Sequence, residues 1–272
     1  MAKQAIDEFR AAAIEFVQEC GRVAEAHFGT VTADFKSDGS PVSKADHEAQ
    51  DAVVSLIAGR YGDHAVIAEE LLGRPERHAA AGEARFCWVI DPIDGTRNYC
   101  RGLPLYASSA ALLERGAPVA CAIYDASSRI VFSAARGGGA WCGPRPLAPT
   151  DGSAEKRLNV AIGSSHRKSV LATVKAWADR YAVRNYGSVC LHFAWVASGM
   201  LDAAYAAECK LWDVAAGALL IEEAGGIVSD PVGRALWPMD LGGYSGQDVP
   251  ILAGQPAAHA QLLADLSAPA GE

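Results

Sequence analysis

Apolar residues recur at Ile6, Phe9, Ala13, Phe16, Cys20 and Val23, in the alternating steps of three and four that place one buried stripe on a helix. A long opening helix is predicted. Ser43 followed by Asp46 has the form of a short-acid capping box, and Ala49, Val53, Leu56 and Ile57 supply the buried side of a second helix. Between the two lies FKSDGSPVSKAD, rich in turn formers and too polar for a core. Short apolar runs at 65–68 and 86–90 then read as strands, the first delivering Glu69 and Glu70 at its end and the second delivering Asp91. Further strands are expected over 107–113, 118–124 and 130–134, ahead of a glycine-rich turn at 137–139. The Pro, Gly, Ser and Asp-rich stretch 143–153 is the best boundary, dividing 1–150 from 151–272.

Beyond it, strands and helices alternate. The pattern predicts a strand at 158–163, helices at 166–180 and 188–198, a strand at 201–205 and a strongly apolar helix at 213–224. Gly225-Gly226 ends that helix before a strand at 227–228, and a last strand and helix are expected over 250–254 and 256–266. No internal repeat competes with this two-part α/β organisation.

Length and composition bound the function. The chain has 272 residues, half of them hydrophobic, enough for a substantial core in one large domain or two modest ones. Its 24 basic and 32 acidic residues give a formal charge of -8, and no basic cluster suits a nucleic-acid polymer. Acidity still permits a phosphorylated substrate, because cations held by carboxylates reverse the local field. The seven cysteines are odd in number and lack CxxC spacing, as expected of free thiols in a reducing cytoplasm. The opening MAKQAIDEF carries acidic residues where a signal peptide needs apolar ones, and no run reaches the roughly 20 apolar residues of a membrane span, so neither secretion nor insertion is expected.

The strongest chemical signal is Trp88-Val89-Ile90-Asp91-Pro92-Ile93-Asp94-Gly95-Thr96, an apolar strand running into two carboxylates three residues apart. Mg²⁺ prefers oxygen ligands and keeps part of its water shell. Asp91 is placed to bridge two such ions, Asp94 to complete one, and the Ile93 carbonyl to serve the other, while the Gly95 and Thr96 amides offer donors to phosphate at a helix start. The metals would activate water, with no phosphoenzyme required. A plainer account remains open: DPIDG is also an Asp/Pro/Gly turn, Glu69-Glu70 a solvated pair and Asp213 a helix cap. GSSH at 163–166 is not the GxSxG of a serine hydrolase, and His27, His166 and His192 read as structural or surface residues.

The segments KSDGSPVSKAD at 36–46, EE at 69–70, WVIDPIDGTRNY at 88–99 and WDVAAGALLIEEAGG at 212–226 together resemble the inositol monophosphatase family of lithium-sensitive, magnesium-dependent phosphatases. The resemblance implies a layered αβαβα sandwich, assembled as a dimer and holding two or three Mg²⁺ ions, that hydrolyses a small phosphorylated metabolite. It assigns Glu69, Asp91 and the Ile93 carbonyl to one metal and Asp91, Asp94 and Asp213 to a second, with Glu69 also near a third. Thr96 and Asp46 match the pair that orients the attacking water, Lys36 the basic residue of a loop near the metals, and Gly187-Ser188 the substrate-side loop.

Two departures bear on substrate. Ala68 replaces a glycine before the glutamate pair, which leaves the ligands in place. Ala206, seven residues before Asp213, stands where inositol-selective members carry a glutamate that accepts from substrate hydroxyls. Glu208 and Lys210 are candidates to replace it, Glu208 for an amine and Lys210 for phosphate or another acid, and they read equally well as a solvated pair before the helix. Histidinol phosphate is therefore a rival to inositol phosphate, with a 3',5'-bisphosphate nucleotide or fructose 1,6-bisphosphate behind it. A catalytically silent interaction protein would need damaged metal positions, whereas the acidic set is complete.

Overall fold

The opening stripe forms helix α1, Lys3–His27, which buries Ala13, Phe16, Val17, Cys20 and Ala24 along one side. The computed structural model describes residues 3–36, 39, 41–71, 80–148, 157–165 and 167–267. Helix α2, Lys44–Arg60, starts at the predicted box, where the amide and hydroxyl of Ser43 donate to Asp46 Oδ2 at 2.8 and 2.6 Å. The bond satisfies a donor that lies outside the helical ladder. Between the helices, strands β1, Asp34–Phe35, and β2, Pro41–Val42, pair as a small hairpin. Two residues per strand are too few to show a period, so the segment reads as turn in sequence.

The first large sheet has seven strands in spatial order β3 to β9: Ala65–Ala68, Phe86–Asp94, Ala107–Glu114, Ala117–Asp125, Ile130–Ala135, Gly139–Cys142 and Arg145–Pro146. β3 runs parallel to β4, and every other pairing is antiparallel. β8 and β9 fall in the region read as turn and boundary, where short strands sit among glycines and prolines. The second sheet has five strands in the order β11-β10-β12-β14-β13, with β10 at Asn159–Ile162, β11 at Ala182–Arg184, β12 at Ala203–Ala206, β13 at Ile227–Ser229 and β14 at Ile251–Gly254. β10 is parallel to both its neighbours, so β10 and β12 end at the same edge.

Further helices are α3, Thr96–Tyr99; α4, Lys168–Ala178; α5, Val189–Ala197; α6, Leu211–Glu223; and α7, Pro256–Ser267. The expected start of α4 at His166 lies outside the described residues. α1 and α2 cover one face of the seven-stranded sheet through Phe16, Ile57, Trp88, Ile90 and Leu112. α5 and α6 lie between the two sheets, sharing a core with Val89, Ile123, Phe132 and Ile251. α4 and α7 close the far side over Val170, Trp177, Leu252 and Leu262. The layers are therefore αβαβα.

Sandwiching explains why α6 has no polar stripe: ten of its residues, from Leu211 to Ile221, are buried. Fully burying a side chain such as Leu219 or Ile221 contributes about 1.5–3 kcal/mol, so this helix is among the best-anchored parts of the fold. Its first turn carries Asp213, and the anchoring of the helix fixes that carboxylate.

Candidate metal centre

Along a regular strand, residues three apart point to opposite faces. Asp91 and Asp94 escape that rule. Asp91 pairs with Ser109 and Asp94 with Ala107, so three steps on β4 match two on β5, and the extra residue is taken up as a bulge. Pro92, which has no amide to give the ladder, sits inside it. Ile93 N donates to Asp91 Oδ1 at 3.0 Å, and Ser108 Oγ donates to the Pro92 carbonyl at 2.7 Å, so the bulge is fixed from both sides. The strand thus continues through the DPID segment rather than stopping at Ile90 as the sequence pattern suggests.

Asp213 joins from the first turn of α6, in the helical layer between the two sheets. Its Oδ2 accepts the Lys210 amide at 2.6 Å, so one oxygen caps α6 and the other remains for the cluster. Carboxylate oxygens of Asp91, Asp94 and Asp213 lie within 4.8 Å of one another. Asp94 is tethered to the start of α5, where its Oδ2 accepts Ser188 Oγ at 2.5 Å and the Cys190 amide at 2.6 Å. Those donors and the helix N-terminus favour its charged form.

Crowding and burial oppose that charge. Burial first, then Glu69, Asp94 and Asp213, hold Asp91 well above the usual carboxylate range. Burial and Asp94 do the same to Asp213. Asp94 is raised by burial against the pull of Ser188 and Cys190. Among the described residues no lysine or arginine pairs with these three. Buried like-charged oxygens without a counter-charge fit a hard divalent cation, which takes oxygen donors and cancels their repulsion.

Glu69 and Glu70 lie on the 3-10 turn Glu69–Leu71 after β3, and Lys36 Nζ bridges them at 2.7 and 2.5 Å. Glu69 is close enough to Asp91 to raise it, yet its own carboxylate faces Lys36. Burial pushes Glu69 up to about 7 against that pairing. Thr96 Oγ1 lies 3.3 Å from Asp46 Oδ1 and 2.9 Å from the Ile93 carbonyl. Its single proton serves one of them at a time, and its lone pairs stay available to a water. Asp46 thus repeats the economy of Asp213, with Oδ2 capping α2 and Oδ1 turned to the site.

The turn after β4 and the loop before α5 meet at glycines. Gly95 has φ 92°, and a Cβ there would lie 3.0 Å from the Leu105 carbonyl and 3.3 Å from that of Gly187. Gly187 has φ 79°, with its Cβ position 2.6 Å from Asn98 Nδ2. No larger residue fits either place without displacing the opposite loop.

The remaining substrate-side candidates lie in a separate, charge-balanced cluster. Glu208 pairs with Arg167 at 3.2 Å and accepts from Ser165, while Lys210 Nζ reaches Asp248 at 2.9 Å and the Gly246 carbonyl at 2.8 Å. Arg167 also binds Asp248, closing a chain of two cations and two anions. Ala206 is buried, and a Cβ on Gly163 would sit 3.0 Å from its own, so small residues fill that floor.

Sequence reasoning missed several supports. Ser188 carried the ordinary helix-start signal, but nothing local revealed that its hydroxyl holds Asp94. Asn98, which donates to the Leu105 and Tyr186 carbonyls, and Tyr244, whose hydroxyl accepts the Leu211 amide at 2.9 Å, gave no signal because their partners are distant in the chain.

Comparison with known proteins agrees with this geometry. The family model for the inositol monophosphatase family matches residues 5–269. An inositol-1-monophosphatase of Mesorhizobium japonicum is 33% identical over 229 residues, covering 80% of this chain and 83% of that protein. A Nus factor SuhB of Xylella fastidiosa is 36% identical over 211 residues, covering 75% and 74%. The solved inositol monophosphatase of Anabaena superposes with a TM-score of 0.80 at 28% identity, covering 98% of each chain.

Proposed function

The chain belongs to the inositol monophosphatase family and is a Mg²⁺-dependent phosphomonoesterase, and we propose that it acts with broad selectivity on small phosphate monoesters, inositol phosphates among them. The observation that carries the reading is the carboxylate trio of Asp91, Asp94 and Asp213, with Thr96 bonded both to the Ile93 carbonyl between the first two and to Asp46.

In this reading Asp91, Asp94, Asp213, Glu69 and the Ile93 carbonyl hold two or three Mg²⁺ ions. When bound, the ions supply Lewis acidity to the attacking water and to the phosphoryl oxygens. Asp46 accepts a hydrogen bond from the Thr96 hydroxyl, which keeps its proton, and the Thr96 oxygen accepts one from a water and so sets its direction of attack. The Gly95 and Thr96 amides bind phosphate oxygens. Lys36 offsets the charge of Glu69 and Glu70 until substrate and cations arrive.

Breadth follows from the substrate side. Ala206 offers no acceptor, and Glu208 and Lys210 are each already engaged with an opposite charge. A wall without a dedicated polar reader discriminates weakly between alcohols. The same pairing weakens the case for histidinol phosphate, since Arg167 offsets the charge that would attract an amine; nucleotide bisphosphates and fructose 1,6-bisphosphate rank lower still. Gly187 and Ser188 form the other wall. We further propose two halves meeting near residue 150, a homodimer, a cytoplasmic location and no nucleic-acid polymer as partner. The formal charge of -8 supports the last, and no helix among the described residues is long and apolar enough to cross a membrane.

Parallel kcat/KM measurements with inositol 1-phosphate, histidinol phosphate, adenosine 3',5'-bisphosphate and fructose 1,6-bisphosphate, across a Mg²⁺ titration, test the reading. The monoesters should fall within about two orders of magnitude of one another. A preference above roughly 1000-fold for one would contradict the selectivity argument.

A further inference from the structure

His192 lies in α5, one of the most apolar helices of the chain, with 1% of its surface exposed. Its Nε2 accepts the backbone amide of Tyr186 at 3.1 Å. Burial pushes the imidazole down to about 4, which favours the neutral ring that this bond requires. The carbonyl of the same residue, Tyr186, accepts Asn98 Nδ2 at 2.7 Å. Tyr186 therefore has both backbone groups held, one by the helix behind it and one by the turn that follows the Asp91–Asp94 bulge. Its ring is wedged edge-on against Trp195 at 4.8 Å and against His192 at 5.8 Å.

Two residues further on, Ser188 gives its hydroxyl to Asp94. Gly187, between them, has a left-handed backbone packed on Asn98, which leaves the segment 186–188 little freedom to re-aim. We infer that His192 is a positioning residue for metal binding: by holding the Tyr186 amide it fixes the loop that presents Ser188 to Asp94, and thereby sets the direction of that carboxylate. The inference rests on the proposed role of Asp94 as a ligand. The physical reason is that a ligand oxygen held by outer hydrogen bonds binds its cation without first losing rotamer freedom.

The test compares His192→Leu, which keeps bulk but removes the acceptor, with His192→Gln, which restores one. Mg²⁺ binding is measured by calorimetry without substrate, and amide hydrogen exchange is followed at Tyr186. His192→Leu should weaken Mg²⁺ binding by about tenfold and speed exchange at Tyr186, while His192→Gln recovers most of both. Unchanged Mg²⁺ affinity in His192→Leu, or a glutamine variant as impaired as the leucine one, would overturn the inference. Failure of the unmutated protein to bind Mg²⁺ would instead remove the reading of Asp94 beneath it. Should His192→Leu not fold, exchange in the unmutated protein still decides: a Tyr186 amide that exchanges like an exposed loop amide is not held by His192.

Discussion

Two clusters of charge, one of carboxylates and one of paired opposite charges, are built on opposite principles. Asp91 is buried and Asp94 and Asp213 half-buried, all three of one sign and, among the described residues, without a protein cation, so their joint ionisation is opposed. Arg167, Glu208, Lys210 and Asp248 are partly exposed and balanced, two against two, and each charge already has its partner. The first arrangement needs cations or retained protons to offset its repulsion; the second is complete as it stands. Affinity for cations thus belongs to one region and permissiveness toward the rest of the substrate to the other.

Removing a charge from the strained cluster should have the largest effect and should split activity from stability. Asp91→Asn is expected to lower turnover by about 10³-fold or more, since several kcal/mol of transition-state stabilisation depend on cations that an amide holds poorly. The same change should raise the thermal midpoint of the metal-free protein, because a buried repulsion is relieved. Mg²⁺-titrated assays beside thermal melts in chelator check both. A variant that loses activity and melts lower would show that Asp91 supports the fold instead.

Thr96 lies at the rim of the strained cluster and carries no charge. Thr96→Val keeps the β-branched shape but removes the hydroxyl between Asp46 and the site. Turnover should fall by about 100-fold with Mg²⁺ affinity within about threefold of the unmutated value. Equal losses in both would place Thr96 in holding the Ile93 carbonyl rather than in directing water.

How far the sequence could be read follows the same division. The elements were legible because α1, α2 and the strands of the first sheet each repeat their period over several turns or residues, while the layered order came from the family resemblance carried by contiguous motifs such as Trp88 to Tyr99. The bulge was not. Alternation predicts that Asp91 and Asp94 diverge, and only pairing with β5 brings them together. Asp46 was readable as a capping residue from Ser43, while its second task needed Thr96, fifty positions away, to be placed beside it. Glu208 read from its neighbours in sequence as either a substrate-side acid or one of a solvated pair with Lys210. Its partner Arg167 comes from the loop after β10, which is adjacent only because β10 and β12 are parallel neighbours.

The strained cluster also sets an unusual pH dependence. Glu69, Asp91, Asp94 and Asp213 all have folded-state values above their unfolded ones, so between roughly pH 4 and the raised values the folded chain holds more protons than the unfolded chain. Stability of the metal-free protein should therefore fall as pH rises from about 4 through 7, by up to about 1.4 kcal/mol per unit for each group titrating. Saturating Mg²⁺ should flatten the profile, since cations favour the ionised form. Denaturant midpoints from pH 4.5 to 8, with and without Mg²⁺, measure it. A metal-free protein that gains stability over this range would mean the trio is not strained.

The smallest effect is expected from the balanced cluster, and it separates two accounts of Glu208. If Glu208 reads an amine on the substrate, Glu208→Gln must cost histidinol phosphate selectively. If instead Glu208 is spent on its protein partners, the glutamine still accepts from Ser165, and only the ion pair with Arg167 is lost. That pair is half exposed, with Arg167 showing 50% of its side-chain surface, and such pairs contribute about 0–1 kcal/mol. Arg167 keeps Asp248 as a second partner, which limits the rearrangement further. The expected outcome is a change of less than about threefold in kcat/KM for inositol 1-phosphate and histidinol phosphate alike. A loss above about tenfold confined to histidinol phosphate would show that Glu208 leaves Arg167 for the substrate amine, and the balanced cluster would then be a reader rather than a completed wall.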